Sequence, residues 1–332
     1  MLRNALYQYY PAKNLYQLKI NGVYLMNEWL IYYIIKSNKY RPDYLDIRLL
    51  RKIINQFMPF AFYSFISSIP RPPIDKNNPE DVFFTLSFDC DLWEDYDAMP
   101  ILLQALKKRS IQASFACIGR WIEKLPDIHK QMIEDGHEIV NHTFTHPENK
   151  YFNPDREFIE LSYLEKQEEI VFFDEIAWKT LGYKAIGFRT PHFGSNHSSD
   201  VYRILKNVDY SYSSSQIAIE SDKLGEPYRI GTVWEFPLSI DPRNPFTCFD
   251  TWSCFKGPYG SHTDETEKAF FDHLKMALQT GMDKKLYTNV YFDPSDMLLY
   301  PRFIKFLDLL VESDVKIMTY HDLIPVLGEY NG

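Results

Sequence analysis

Two carboxylates stand two positions apart in the run Ser87-Phe88-Asp89-Cys90-Asp91. At the end of a strand such a pair can share one site in different roles. One carboxylate binds a metal while the other takes a proton from water. Alone, the pair reads as a loop of solvated aspartates or as helix N-caps. A second run, Asn141-His142-Thr143-Phe144-Thr145-His146, spaces two imidazoles four positions apart. One helical turn would bring both to a single cation. Two imidazoles and a carboxylate leave coordination positions open for water and substrate, as catalytic zinc sites do. Surface helices also produce H-x-x-x-H by chance, but its company with Asp91 strengthens the metal reading. In a third run, Arg189-Thr190-Pro191-His192-Phe193-Gly194, an arginine at a strand end can hold Asp89 ionised. The same arginine could make an ordinary surface ion pair.

The elements that must position these runs alternate. Residues 82–88 (VFFTLSF), 113–118 (ASFACI), 138–140, 185–188, 233–236, 286–292 and 315–318 read as strands, being short and rich in β-branched and aromatic residues. Residues 100–108, 122–134, 156–181, 266–278 and 297–312 read as helices. Strand–helix alternation implies a mostly parallel α/β sheet or barrel, whose chemistry sits at the carboxyl ends of the strands. Asp89 and Asp91, Asn141 to His146, Arg189 to Gly194, and Asp293 all fall at such ends, so four distant clusters converge on one rim.

Residues 1–80 read differently. An apolar run from Trp29 to Ile35 suggests a buried helix segment, and Leu45, Leu49, Leu50, Ile53, Ile54 and Phe57 recur at helical spacing. The segment IPRPPIDKNNPE, from Ile69 to Glu80, carries four prolines and marks a boundary. The expected organisation is a helical N-terminal extension with a Pro-rich linker over 1–80 and a catalytic domain over 81–332.

Composition bounds the function classes. The chain has 332 residues, 45% apolar and 24% charged, which suits a globular protein with a large core. Its net charge of −9, with no basic run, argues against a nucleic-acid partner, because phosphate binding needs a basic face. The cysteines at 90, 117, 248 and 254 form no C-x-x-C and read as reduced thiols. No apolar run reaches bilayer length; the nearest, Phe57 to Ile69, is short and contains Pro59. The first residues lack the pattern of a secretory signal. The expected location is therefore the cytoplasm, with a peripheral membrane contact through the extension left open, as is a homo-oligomer.

Taken jointly and in order, these runs resemble the NodB-homology polysaccharide deacetylase family, also called carbohydrate esterase family 4, over roughly residues 80 to 325. S-F-D-C-D is similar to the family's first motif in its spaced form, D-G-H-E-I followed by N-H-T-F-T-H to the second, and R-T-P-H-F-G to the third. W-E-F-P-L from Trp234 resembles a late strand lining the cleft. The resemblance implies a distorted or incomplete (β/α) barrel. It implies Asp91, His142 and His146 as ligands of a divalent metal, zinc by its nitrogen and oxygen donors. It further implies Asp89 as general base with Arg189 as its partner, and an N-acetylated glycan as substrate. With no secretion signal read, a lipid- or nucleotide-linked N-acetyl sugar is the expected form.

One departure stands out. The family carries a histidine after the strand at 286–292, where it protonates the departing amine. Here the text is V-Y-F-D-P, with Asp293 in that place. A buried aspartate of raised pKa can donate a proton. His192 or His321 is an alternative donor, and weak or absent turnover is a third reading. Cyclic amide or imide hydrolysis on the same fold, and glycan binding without catalysis, stay open as rivals.

Overall fold

The computed structural model describes residues 18–20, 23–26, 33–37, 45–256, 261–298 and 301–328. The described chain begins with a small antiparallel pair, β1 (Leu18–Ile20) and β2 (Val23–Met26). Helices α1 (Leu45–Phe57) and α2 (Pro59–Ser68) follow, Pro59 restarting the helix at a position that needs no amide donor. The VFFTLSF run then becomes β3 (Phe83–Cys90), buried along its whole length. Burial on both faces is what a central parallel strand requires.

From β3 the sheet grows in chain order through β4 (Ser114–Cys117), β5 (Glu138–Asn141), β6 (Gly187–Phe188) and β7 (Tyr212–Ser213). It then passes to β9 (Val233–Glu235), all parallel. Strand β8 (Tyr228–Ile230) adds antiparallel beyond β9. On its other side β3 pairs with β10 (Thr288–Phe292) and with β11 (Lys316–Ile317). Helices alternate with these strands: α3 (Trp93–Lys107), α4 (Gly119–Lys124), α5 (Pro126–Glu134), α6 (Tyr163–Leu181), α7 (Val201–Asn207) and α8 (Asp264–Lys284). Three more, α9 (Pro294–Leu298), α10 (Pro301–Glu312) and α11 (Tyr320–Leu327), lie near the carboxyl end.

The sheet curls until its two flanks nearly meet. The amide of Ser239, just past β9, donates to the Asn289 carbonyl of β10 at 2.8 Å. The Asn289 side chain donates to the carbonyls of Phe236 and Pro237 at 3.0 and 3.1 Å. The result is the expected incomplete (β/α) barrel. Alternation along β3 sorts its side chains. Phe84, Leu86, Phe88 and Cys90 join the main apolar core, and Phe88 stacks on Phe115 with ring centroids 5.1 Å apart. Thr85, Ser87 and Asp89 face the opposite way, into a polar interior shared with Arg189, Ser214, Tyr287 and Tyr320. Gly187 on β6 lets that interior close: a Cβ there would lie 1.7 Å from the Tyr212 ring.

Local chemistry moved several element ends. The helix expected over 122–134 is two helices, because Pro126 forces Leu125 out of helical geometry. The helix expected from Arg156 starts at Tyr163, where Ser162 and Glu165 cap each other's amides, and ends on Gly182 in left-handed conformation. The helix expected over 297–312 is divided, and residues 299–300 lie outside the described residues. Strands β7 and β8 are too short for alternation to reveal.

Helices α1 and α2 share a second apolar cluster with the barrel: Ile54 of α1 and Phe62, Tyr63 and Ile66 of α2 pack with Ala218, Ile219, Ile240 and Phe246. The apolar face read on α1 is only partly buried. Ile47 and Ile54 are inside, while Leu45, Leu49, Ile53 and Phe57 are exposed. Of the run Trp29 to Ile35, residues 33–35 fall in a helical stretch and 29–32 lie outside the described residues. No helix among the described residues is long and apolar enough to cross a membrane.

Candidate active site

Asp91 sits in the turn between β3 and α3, and its main chain is tied on both sides. Its amide donates to Asp95 Oδ2 at 3.1 Å. Its carbonyl accepts from the Trp121 indole at 3.0 Å and the Asn149 amide at 2.8 Å. Asp95, an acid in the first turn of α3, thus caps that helix while fixing Asp91.

His142 and His146 are not on a helix, contrary to the helical-turn expectation. They lie in the loop after β5, which short polar side chains bend back on itself. Asn141 Oδ1 accepts from the Thr143 amide at 2.8 Å, and Thr143 Oγ1 accepts from the His146 amide at 2.9 Å. Such local bonds favour turns over helix. Thr143 and His146 take positive φ values of 68° and 55°, with Glu148 at 73° and His192 at 45° nearby. Backbone strain of this kind persists where surrounding structure enforces it.

The loop aims both rings at Asp91. His142 Nε2 lies 3.4 Å from Asp91 Oδ1, and His146 Nε2 lies 3.4 Å from Asp91 Oδ2. One ligand atom from each of the three residues lies within 4.8 Å of the other two. His142 Nδ1–H donates to the Arg189 carbonyl at 2.9 Å, which leaves Nε2 free to bind a cation. The donor set fits a metal on a further observation. His146 makes no side-chain hydrogen bond through either ring nitrogen, and Asp91 Oδ1 makes none, although all three atoms are buried. Buried polar atoms normally have partners. Burial drives His142 down to about 3, with Asp91 opposing, so the ring stays neutral as a ligand must. Asp91 is held below the usual carboxylate range: burial would raise it, but its surroundings, His146 foremost, outweigh burial.

Arg189 projects from the end of β6 into the polar interior and is fully buried. Its Nη1 donates to Asp89 Oδ1 at 2.5 Å. Its other donors go to the Ser214 carbonyl, Ser87 Oγ, Ser214 Oγ and the Tyr320 hydroxyl, at 2.6 to 3.2 Å. Asp89 Oδ2 lies 3.9 Å from His142 Nε2, beside the three-residue cluster. Burial pushes Asp89 up to about 7, Arg189 pulling against it and Asp91 adding to it. The Arg189 guanidinium favours the ionised carboxylate, as expected from sequence, but burial is the larger effect and the net direction is upward.

Asp293 follows β10 on the same rim. Its amide donates to Thr251 Oγ1 at 3.0 Å. Burial pushes its carboxyl well above the usual range, and Asp95, Asp296 and Asp91 push the same way. Lys256 Nζ stands 3.4 Å from Asp293 and 2.8 Å from Asp296. Nothing in the sequence singled out Lys256, which is carried on a π-helical turn over Trp252–Lys256. Trp252 is exposed, and Tyr259 lies outside the described residues.

Of the alternative donors, His192 stacks edge-on against His146, 4.9 Å between ring centroids, and sits 3.8 Å from Glu148. His321 is exposed on α11; its amide donates to Glu138. His129 is buried and bonded to the Tyr96 hydroxyl at 3.1 Å. His197 links Thr190 Oγ1 to the Tyr202 hydroxyl at 2.8 and 3.1 Å. The four cysteines are free thiols.

Residues 76–213 match the family model described as polysaccharide deacetylase. A peptidoglycan-N-acetylglucosamine deacetylase of Bacillus cereus is 26% identical over 153 residues, 46% of this chain and 50% of the relative. The chain thus matches about half the length of that relative. A chitooligosaccharide deacetylase of Bradyrhizobium is 37% identical over 49 residues, 15% of this chain and 22% of the relative. Among solved structures, a Mycobacterium smegmatis protein described as a polysaccharide deacetylase superposes with a TM-score of 0.62 at 15% identity. That superposition covers 76% of this chain and 92% of the other, and at such identity it speaks for the fold alone.

Proposed function

The chain belongs to the polysaccharide deacetylase family through residues 76–213, and on that premise we propose that it is a metal-dependent N-deacetylase. It hydrolyses the acetamide of an N-acetylated sugar or glycan and releases acetate. The observation that carries this reading is the convergence of Asp91, His142 and His146 with the Asp89–Arg189 pair beside them. The names of the relatives, a peptidoglycan and a chitooligosaccharide deacetylase, support N-acetylglucosamine polymers as the substrate class.

Asp91, His142 and His146 would hold the metal, and their nitrogen and oxygen donors suit zinc. A divalent cation there supplies Lewis acidity to the amide carbonyl and to water. Asp89 takes the proton of the attacking water. Arg189 orients Asp89 and carries the opposite charge, so the ionised base is tolerated in a buried site. Asp293 supplies a proton to the departing amine, the role its raised carboxyl suits.

The test combines metal analysis of purified protein with acetate release from N-acetylated glycans. About one metal per chain and acetate release lost in Asp89→Asn are expected. An unaffected Asp89→Asn enzyme would remove the base assignment. A second reading, glycan binding without turnover, is favoured by the aspartate at 293. Glycan binding by metal-loaded wild type with no acetate released would support it.

We also read residues 1–80 as an extension to the catalytic domain. Supporting this are the start of the family match at 76 and the packing of α2 on the barrel. A peripheral membrane contact is supported by the exposed Leu45, Leu49, Ile53 and Phe57 on one face of α1, with exposed Arg48 and Lys52 beside them. Co-sedimentation with anionic vesicles, compared between wild type and Leu49→Ser/Phe57→Ser, tests it.

A further inference from the structure

The place of the family's histidine is taken here by a charge cluster. Asp293 and Asp296 stand at the start of α9, with Lys256 reaching in from the π-helical turn. That turn is anchored by the Ser253 amide, which donates to buried Asp250 at 2.5 Å. A π-turn in place of a regular helix end is a frequent mark of functional sites. Asp95, from α3, binds the Ser295 amide and hydroxyl at 3.2 and 2.7 Å and so fixes the other side of the cluster. The lysine side chain is 38% exposed, whereas Asp296 is almost wholly buried, with one carboxylate oxygen lacking any hydrogen-bond partner. The cluster is thus built with several carboxyls around one ammonium.

We propose that Lys256 is a positioning residue for proton delivery: paired with Asp296, its ammonium also faces Asp293, so that Asp293 serves as the carboxylic acid for the departing amine. This rests on the deacetylase reading above. The Asp293 O–H bond breaks and its proton goes to the amine nitrogen of the tetrahedral intermediate. The C–N bond breaks with its electron pair going to nitrogen, the carbonyl re-forms as acetic acid, and that acid gives its remaining proton to solvent to leave as acetate. Asp293 is left as a carboxylate 3.4 Å from the Lys256 ammonium, which stabilises the charge as it develops. The proton held on Asp89 after water attack returns to solvent, and Asp293 regains one from solvent.

The groups facing Asp293 agree with this. Asp95 from α3, Asp296 from α9 and Asp91 from the β3–α3 turn all disfavour its ionisation, and the Lys256 ammonium favours it. Tyr291, two residues back on β10, lies in the same field and is itself pushed up by burial. A lysine amid carboxyls is held charged: burial opposes, but Asp293 and Asp296 raise it. Removing the ammonium leaves the Asp293 carboxylate without its stabilising charge.

The experiment follows the Asp293 carboxyl by 13C NMR in aspartate-labelled protein, the signal being assigned by its loss in Asp293→Asn. Wild type, Lys256→Met and Lys256→Arg are titrated, and acetate release is profiled against pH for each. The titration midpoint is expected to rise by roughly one pH unit or more in Lys256→Met, as loss of an opposite charge within a few ångströms predicts. Lys256→Arg keeps it near the wild-type value. The alkaline limb of the rate profile moves up with it, and kcat falls roughly tenfold or more. A merely structural lysine would lower kcat without moving either midpoint. An unmoved Asp293 midpoint in folded Lys256→Met overturns the inference. A moved midpoint with no acetate released by metal-loaded wild type overturns instead the deacetylase reading on which it rests.

Discussion

Arg189 and Asp89 are separated by 100 positions in the chain, yet Nη1 of the one lies 2.5 Å from Oδ1 of the other. The two ends of Arg189 serve different parts of the site. Its guanidinium holds the candidate base, while its backbone carbonyl accepts from His142 Nδ1 and sets that ring's orientation. Arg189 therefore links the candidate base to a candidate metal ligand through one residue at the end of β6.

Arg189→Met should leave Asp89 buried without its counter-charge. A buried pair broken on one side costs about 3–5 kcal/mol, and the aspartate would hold its proton rather than accept another. Acetate release should fall by roughly 100-fold or more, with a matching loss of stability in urea unfolding. Arg189→Lys should rescue little, because a point charge cannot reach Ser87, Ser214 and Tyr320 in fixed geometry as a guanidinium does. A methionine variant that retains most of the wild-type rate would sink the pairing as a catalytic device.

Chelation should abolish acetate release, and added zinc should restore it. Asp91→Asn, His142→Ala and His146→Ala should each lose bound metal, because each removes one of three ligands. Elemental analysis of the purified variants measures this directly. Full metal retention by two of the three variants would mean that the cation sits elsewhere.

How much of this was legible beforehand depended on length of signal. Strand β3 was read because a long apolar run ends in two acids. Strands β7 and β8 were not, because two or three residues show no period. The histidine pair is marked by its spacing, but its conformation is not. Spacing of four suits a helix, and here Asn141 and Thr143 hydrogen-bond the backbone into a turn instead. Arg189 was found through its motif, whereas its partner Tyr320 carries no local signal and is brought in by the curl of the sheet. Lys256 was invisible for the same reason: it lies 37 positions from Asp293 and meets it only through folding. On α1, apolar spacing gave the helix but not its buried side, since burial depends on what packs against it.

Asp293→Asn removes the donor while keeping the shape. If Asp293 protonates the departing amine, kcat should fall by roughly 100- to 10,000-fold, the usual worth of a general acid. Metal content should be unchanged, because Asp293 is outside the ligand cluster. Asp293→His should retain measurable turnover, imidazolium being able to donate from the same strand end. Steady-state acetate release with matched metal analysis separates these outcomes, and an Asp293→Asn enzyme as fast as wild type removes Asp293 from the mechanism.

A last prediction concerns stability and lies far from the metal cluster. Glu226 is buried beside Arg71 of the Pro-rich linker, 3.4 Å between the charged atoms. Glu226 Oε2 and Arg71 Nε lack hydrogen-bond partners, and Arg71 and Gly225 line a cavity of about 40 Å³. Burial pushes Glu226 up to about 7 from an ordinary 4.5, with Arg71 pulling the other way. Below that ordinary value both folded and unfolded chains hold the proton, and the group's contribution to stability is fully present. Between the two values the unfolded chain releases the proton first, so stability falls as pH rises. Above about 7 both states are ionised and the loss is complete. Glu226→Gln cannot titrate. The stability of wild type relative to this variant should therefore decline across that window by at most about 3 kcal/mol and then level off. Urea unfolding of both proteins at a series of pH values measures the difference. A wild type that gains on Glu226→Gln with rising pH would mean that the Arg71 pairing outweighs burial, and the sign assigned to Glu226 would be wrong.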